Sequence, residues 1–562
     1  MSETLFGESK RDRGPSPGQS RVEGAHRMLR RMPVRLVAVF VALSLALLAG
    51  WGSSQVRAGA KPGGKIVYGA WQDPDTLDPQ RTGLAAATRV LSQVFDTLVY
   101  RQAGDPKIYP GLAESWVISP DAREYTFKLK KGVKFHDGTP MNAHAVKFTF
   151  DRIQDPSTKA LSSKGNMGTY VSSEVVDEFT VKVKFKDPYP AFLTLAATAT
   201  VGIISPTAAR KGLEEFARKP IGTGPFMIKE FVSKSHIVLA RNPDYNWASP
   251  MFKHAGPAYL DEVMWKIIPE TSTRMATLDT GESAVIEYLV PSEVQRYQKD
   301  KRFKVLLIDT PGAPRMNVLN VTKPPLDDLN VRRAIAYATD RVSIVDNLFK
   351  GVYLPAYGPL EKSTFGYDPA VEKMYPFDLN KAKALLEEAG WKPGSGGIRV
   401  KDGKPLETLF VVQTNDQWDE VAQMWQAQLR EAGIDMKITF ESSPTVFATY
   451  NKGTQHFADF FFWSPDPVFL FAMFHSRSIP SNFNWAHYSN PDVDKMIEAS
   501  MAEGNATKRA SLVRDIQKKV MEDATIVSIH TKRTVMALDA KLDGLAFTFQ
   551  TYPYFYDLHF TQ

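Results

Sequence analysis

Cysteine is missing altogether from the 562 residues. That excludes disulfides, thiol nucleophiles and cysteine-ligated metals, and it removes the lipidated cysteine of a bacterial lipoprotein leader. Histidine is sparse at 10 residues. No two fall at i, i+4 on a plausible helix face, and His136 and His144 form the closest pair of the body only across a turn, so no histidine metal site is expected. The serine-hydrolase elbow and the His-Glu-x-x-His zinc signature are both absent. Gly222-Thr223-Gly224-Pro225 has the glycines of a phosphate loop but not the following Lys-Ser/Thr, and Pro225 takes away a backbone donor. Asp73, Asp75 and Asp78 lack the glycine and the terminal glutamate of a calcium loop. No catalytic residue, metal or cofactor is therefore expected. The carboxylates are too many to single out an acid/base pair by spacing, and a secreted hydrolase with convergent carboxylates stands as the rival reading.

Long apolar runs are nearly absent too. The one of note is Leu36–Leu48 (LVAVFVALSLALL), shorter than the roughly 20 residues of a spanning helix. Arg27, Arg30, Arg31 and Arg35 precede it, and Ala58-Gly59-Ala60 follows as a small-x-small site. Residues 1–60 thus read as an export signal cleaved near Ala60, behind a disordered extension, with Met28 or Met32 as alternative starts. A cysteine-free, exported, soluble body fits the periplasm of a Gram-negative cell and not a lipoprotein. The isoelectric point near 9.0 suggests nucleic acid or membrane partners. Nine of the 69 basic and four of the 62 acidic residues lie in the leader, however, leaving a body of net charge +2. No nucleic-acid partner is expected.

What is present is folded and long. Hydrophobic residues make up 43 % and charged residues 23 %, an ordinary balance, in a chain too long for one core. KIVYGA (Lys65–Ala70) reads as a first strand. YTFKLKKGVKF (Tyr125–Phe135) and FTVKVKF (Phe179–Phe185) alternate at period two as half-buried antiparallel strands, and Asn142 caps AHAVKFTFDRI. From about Met316 amphipathic helices such as NKAKALLEEAGW and QWDEVAQMWQAQLREAG alternate with strands such as TLFVVQT and DMKITF, an α/β pattern. TIVSIHTKRTVMAL (Thr525–Leu538) returns to β. Discontinuous lobes follow, with crossings near Asp309–Met316 and Ala524–His530 that would act as a hinge. Arg332, Arg333 and Asp340 are expected to pair near a helix surface.

FFFWSPDPVFLF (Phe460–Phe471) is unusual for a soluble chain. Two prolines forbid a regular helix or central strand, so the aromatic residues either fill a core beneath a loop or wall a binding site. Asp466 is placed to cap a helix that begins with Pro467.

Five blocks, in order, carry a resemblance over the whole body. They are GLAESWVISPDAREYTFKLKKGVKFHDGTPMNAHAVKFTFDRI (Gly111–Ile153), PIGTGPFMIKEF with RNPDYNW (Pro220–Trp247), DEVMWKIIPETSTRMATLDTGE, NVTKPPLDDLNVRRAIAYATDR (Asn320–Arg341) and NFNWAHYSNPDVDKMI (Asn482–Ile497). The chain resembles the family 5 extracellular solute-binding proteins of ABC transporters, the dipeptide- and oligopeptide-binding group. The resemblance implies an α/β, two-lobe periplasmic-binding-protein fold (a Venus flytrap of the large cluster C type) with an extra β-rich subdomain. Lobe I would take residues 61–105, 218–312 and 526–562, the subdomain 106–217, and lobe II 313–525. The protein would be a monomer, not an enzyme, that passes a peptide or related small solute to permease subunits in the inner membrane. A receptor-coupled or chaperone-like binder on the same body is a further alternative.

In peptide-binding relatives the ligand lies as an extended strand held by main-chain hydrogen bonds. An aspartate of the second lobe holds its α-ammonium, within Gly-Trp-x-x-Asp-x-x-Asp-Pro. Asp466-Pro467 matches the last pair, which puts the ammonium-binding position at Trp463 or shortens the loop. An indole cannot form the charge-assisted hydrogen bonds of a buried ammonium, though it can stack or make a cation–π contact. A non-peptide solute such as an oligosaccharide, opine or metal chelate is the alternative ligand. Candidate contact residues are Trp463, Ser464, Asp466, Trp71, Trp418, Trp485 and Tyr488.

Overall fold

The computed structural model describes residues 61–413, 418–479 and 482–561, with backbone alone at Ser443 and Pro444. The leader reading for residues 1–60 lies outside the described residues. Two mixed sheets organise the rest. The first has seven strands: Phe303–Asp309, Arg533–Asp539, Val285–Glu287, Lys65–Ala70, Glu262–Ile267, His236–Arg241 and Phe226–Val232, in that order across the sheet. Lys65–Ala70 sits at its centre, parallel to both neighbours, and is buried along most of its length. Such two-sided burial is why KIVYGA reads as a nearly continuous apolar run.

A four-stranded antiparallel sheet, Ala113–Ile118, Glu124–Leu129, Thr180–Phe185 and Tyr170–Asp177, adjoins this half. Tyr125, Phe127 and Leu129 are buried, as are Val181, Val183 and Phe185, so the period-two pattern puts one face inward. The first strand ends at Leu129 and not at Phe135, because Lys130–Phe135 turns to meet the Asp137-Gly138-Thr139 loop. Helix Ala143–Gln154 covers the sheet and is capped by the Asn142 side chain at the His144 and Ala145 amides. Both sheets share one apolar core.

The PIGTGPF block wraps the end of helix Ala85–Val94. A Cβ on Gly222 would lie 2.2 Å from the Val94 carbonyl oxygen, and one on Gly224 2.6 Å from the Val94 carbonyl carbon, so glycine is required at both. Thr223 donates to the buried Asp96 carboxylate, which also accepts from Tyr100, Tyr245 and Trp247. His136 bonds the Gly224 carbonyl at 2.9 Å and tethers the preceding turn to the same loop.

The second sheet has five strands in the order Asp435–Glu441, Glu407–Gln413, Phe457–Trp463, Gly312–Leu319 and Ile526–His530, with its own core of helices. The segment Thr525–Leu538 is therefore two strands in two different sheets. Ile526–His530 pairs with Gly312–Leu319, and Arg533–Asp539 pairs with Phe303–Asp309. The five-stranded half consequently runs to His530, past the expected limit at 525. The chain passes between the halves at Thr310–Pro311 and again at Thr531–Lys532. Arg332, Arg333 and Asp340 do not pair with each other. Arg332 donates to the Leu326 and Asp523 carbonyls, Arg333 to the Glu522 carbonyl, and Asp340 caps helix Arg341–Phe349. The Glu522 and Asp523 carbonyls lie at the end of helix Ala506–Glu522, where the last carbonyls lack intrahelical partners.

The two passages are strapped together. Thr310 N donates to the Lys532 carbonyl at 3.1 Å. Glu361, buried, accepts from the Lys532 amide through its carboxylate and donates its own amide to the Gly312 carbonyl. Burial pushes its carboxyl well above the usual range. Gly312 has φ +130°, and a Cβ there would sit 2.1 Å from the Phe462 carbonyl oxygen. Gly312→Ala is expected to lower stability by about 3 kcal/mol, read as a fall in denaturant midpoint. Burial also lowers the His136 pKa from 6.5 to about 4, against the opposing pull of the Gly224 carbonyl and Asp137. Below pH 6.5 the unfolded chain takes up a proton that the folded one refuses, so stability falls as pH drops from 6.5 towards about 4. His136→Gln should flatten that part of a melting-temperature profile against pH.

Candidate functional site

The strand Phe457–Trp463 carries the aromatic block towards the boundary of the two halves. Its burial decreases along the strand, from Phe457 and Phe460 in the five-stranded core to partly exposed Phe461, Phe462 and Trp463. Phe461 lies beneath the Arg315 and Lys532 cations, at 5.6 and 4.9 Å from its ring centre. Phe462 packs on Phe460, Phe469 and Phe483. Trp463 leaves that core and packs against the core of the seven-stranded half. The strand pairs there with Gly312, one residue beyond the first passage between the halves.

A cavity of about 980 Å³ opens at this boundary. One wall is Phe462, Trp463, Ser464, Pro465, Val468 and Phe471. The opposite wall combines the start of helix Ala85–Val94 (Leu84, Ala85, Thr88), the subdomain residues Asn166, Tyr189, Thr198 and Thr200, and the C-terminal Gln550 and Tyr552. Trp463 and Tyr552 are nearly parallel, 17° apart with centroids 6.2 Å from each other, and Phe549 lies 6.1 Å from Trp463. Tyr552 is backed by the Arg89 guanidinium at 4.9 Å. Arg89 is in turn paired with Glu287 at 3.4 Å, and Glu287 accepts from the Tyr68 hydroxyl and the Trp71 amide. A cation fixed by a buried carboxylate thus holds one of the two facing rings from behind.

Of the residues singled out in the sequence, the fold brings Trp463 and Ser464 to this cavity. The Ser464 hydroxyl is engaged in its own turn, donating to the Asp466 carbonyl at 2.7 Å. Asp466 faces away. It is buried, both its oxygens accept from Arg509 at 2.6 and 2.7 Å, and it caps Val468 at 3.0 Å, as the cap expectation required. Trp418 is buried under Arg315 and His530. Trp485 is buried among Tyr450, Phe460 and Phe483, with its indole N–H donating to Asn451. Tyr488 is buried and donates to Asp523. These three stay in the five-stranded core because large aromatic rings there fill space between helix and sheet. Trp71 is 37 % exposed, lies edge-on to Tyr288, and lines a separate recess of about 390 Å³.

Sequence reasoning missed Tyr552, Gln550, Tyr189 and Thr198. The aromatic density of the C-terminal TYPYFYD was the one available signal for Tyr552. The other three sit in segments without a motif. Among the described residues no group of histidines or carboxylates is arranged to hold a metal ion.

The chain matches the model of the bacterial extracellular solute-binding proteins, family 5, over residues 107–482. It is 30 % identical over 490 residues to a glutathione-binding protein of Pectobacterium atrosepticum, covering 84 % of this chain and 89 % of that one. Among solved structures, NikA of Brucella suis in complex with Fe(III)-EDTA superposes with TM-score 0.78 at 27 % identity, covering 89 % of this chain and 100 % of that one. The periplasmic binding protein DppA of Helicobacter pylori with the peptide STSA gives TM-score 0.69 at 26 % identity, covering 89 % and 99 %. The chain belongs to the bacterial extracellular solute-binding proteins, family 5.

Proposed function

We propose that this protein is the solute-binding component of an ABC importer, which captures a peptide or related small solute between its two halves and hands it to permease subunits of the inner membrane. The observation that carries this is the 980 Å³ cavity walled from both halves, at a boundary the described chain crosses twice. Relatives that bind glutathione, a peptide and an iron chelate support it. Rotation about Thr310–Pro311 and Thr531–Lys532 opens and closes the walls as two rigid bodies. On closure Trp463 and Tyr552 approach from opposite sides, water is excluded, and the ligand is buried without any bond being made or broken. The protein acts as a monomer in the periplasm, after removal of a leader ending near Ala60.

The resemblance puts the ammonium-binding position at Trp463 or shortens the loop, and the absence of an equivalent aspartate in either case favours ligands other than free-amino peptides. Trp463 and Ser464 serve as ligand contacts, whereas Asp466 supports the turn that presents them. Glutathione, dipeptides, opines, oligosaccharides and metal chelates form the test panel. A true ligand at 100 times its Kd raises stability by about 2.7 kcal/mol, visible as a higher melting temperature. Failure of every member would overturn solute capture.

The two roles separate cleanly by mutation. Trp463→Ala should weaken ligand binding, measured by calorimetry, with the melting temperature of the free protein preserved. A collapsed melting temperature would instead assign Trp463 to the core. Asp466→Ala leaves the buried Arg509 without its partner and should lower stability by about 3–5 kcal/mol.

A further inference from the structure

The hydrogen-bonding side chains left open on the buried floor of the cavity are neutral, and the one open carboxylate of its lining, Asp187, lies on an exposed loop. Gln550 is only 8 % exposed and lines the cavity, yet its side-chain amide has no partner among the described residues; the backbone amide is taken up by Thr548. Thr198 is 3 % exposed, lines the same cavity, and makes no side-chain bond at the helix start it precedes. Trp463 Nε1 is buried and likewise unpartnered. Of the three, Trp463 Nε1 is the buried one, and buried donors in folded proteins are normally satisfied; the Gln550 and Thr198 groups open to the cavity beside it, where a ligand can meet all three.

The buried charged groups nearby are already engaged. Asp466 is held by Arg509, Asp459 by Arg315 at 3.2 Å, and Glu287 by Arg89. Arg101, behind Phe549, does not line the cavity and donates to the Asp105 carbonyl and the Thr194 hydroxyl. Among the lining residues, charge is confined to Asp187, on an exposed loop, and to Arg477 and Glu498, which pair with each other at 3.3 Å. Ahead of helix Ala85–Val94 the Asp75 carboxylate accepts the Gly83 amide at 3.1 Å, and its negative charge offsets the partial positive charge of that helix start. An ammonium or carboxylate laid against this floor would be buried without a counter-charge, which is strongly unfavourable.

We infer that the solute is uncharged where it meets this floor: a neutral molecule with a flat apolar face against Trp463 and Tyr552 and hydroxyl or amide groups meeting Gln550 and Thr198. The inference rests on the proposed solute capture. Its chemistry is shared by sugars and by end-blocked or cyclic peptides.

The test uses the purified protein and the small-molecule filtrate of yeast extract. A strong cation exchanger in acid removes free-amino peptides, an anion exchanger then removes acids, and the three resulting fractions are added separately in a thermal-shift assay. The neutral fraction should carry the stabilisation. Its loss after periodate oxidation would identify a polyol, and its survival an end-blocked or cyclic amide. Gln550→Ala and Thr198→Val should each weaken the response about tenfold in apparent affinity while leaving the ligand-free melting temperature in place. Stabilisation by the cation-retained or anion-retained fraction alone would overturn the inference and leave solute capture intact. No stabilisation by any fraction would overturn both.

Discussion

Everything in this molecule depends on how its two halves are joined. The described chain passes between the seven-stranded and five-stranded sheets at Thr310–Pro311 and Thr531–Lys532, and the two passages lie side by side. Each is the middle of a longer antiparallel ribbon, anchored in one sheet before the passage and in the other after it. Glu361 bonds both, through its amide to Gly312 and its carboxylate to Lys532. The strain-prone φ of Gly312 and the buried carboxyl of Glu361 both fall here. Flexibility is thereby limited to a few bonds, and each half can keep a rigid, separately packed core.

That arrangement explains the division of labour within FFFWSPDPVFLF. Its aromatic residues divide between core filling and the wall of the cavity. Phe460 and Phe469 fill the five-stranded core, Phe462 and Phe471 pack on that core while facing the cavity, and Trp463, partly buried, lies against the outside of the other half's core. The turn that follows is stiffened by Ser464 bonding Asp466, by Pro465 and Pro467, and by the Asp466–Arg509 pair. A carboxylate that in sequence looked available for a ligand is committed to the architecture that positions the tryptophan. Behind the partner ring, Arg89 and Glu287 do the corresponding work for Tyr552. Each wall is thus an aromatic ring supported by a buried ion pair.

Elements with a local cause were readable in one dimension. The alternation in Glu124–Leu129 and Thr180–Phe185, the Asn142 cap and the helix at Trp418–Glu431 follow from side-chain periodicity and backbone capping, which act over a few residues. The order of the five blocks carried the family. Thr525–Leu538 was not divisible by pattern, because both of its strands are apolar and only pairing assigns them to different sheets. Trp418, Trp485 and Tyr488 were indistinguishable from Trp463 by residue type, since an aromatic ring has the same composition in a core or at a cleft.

The sequence by itself determined the class of the molecule: a cysteine-free body of two α/β lobes without catalytic or metal motifs, whose ordered blocks mark a solute-binding protein. Only the tertiary structure decided which aromatic residue meets the cavity, that Tyr552, Gln550 and Thr198 meet it from the other side, and that Asp466 belongs to Arg509. The physical reason is separation along the chain. Local periodicity and capping are written in neighbouring residues, whereas the cavity is assembled from segments hundreds of residues apart, whose proximity exists only after both cores have packed and the two passages have set the halves face to face.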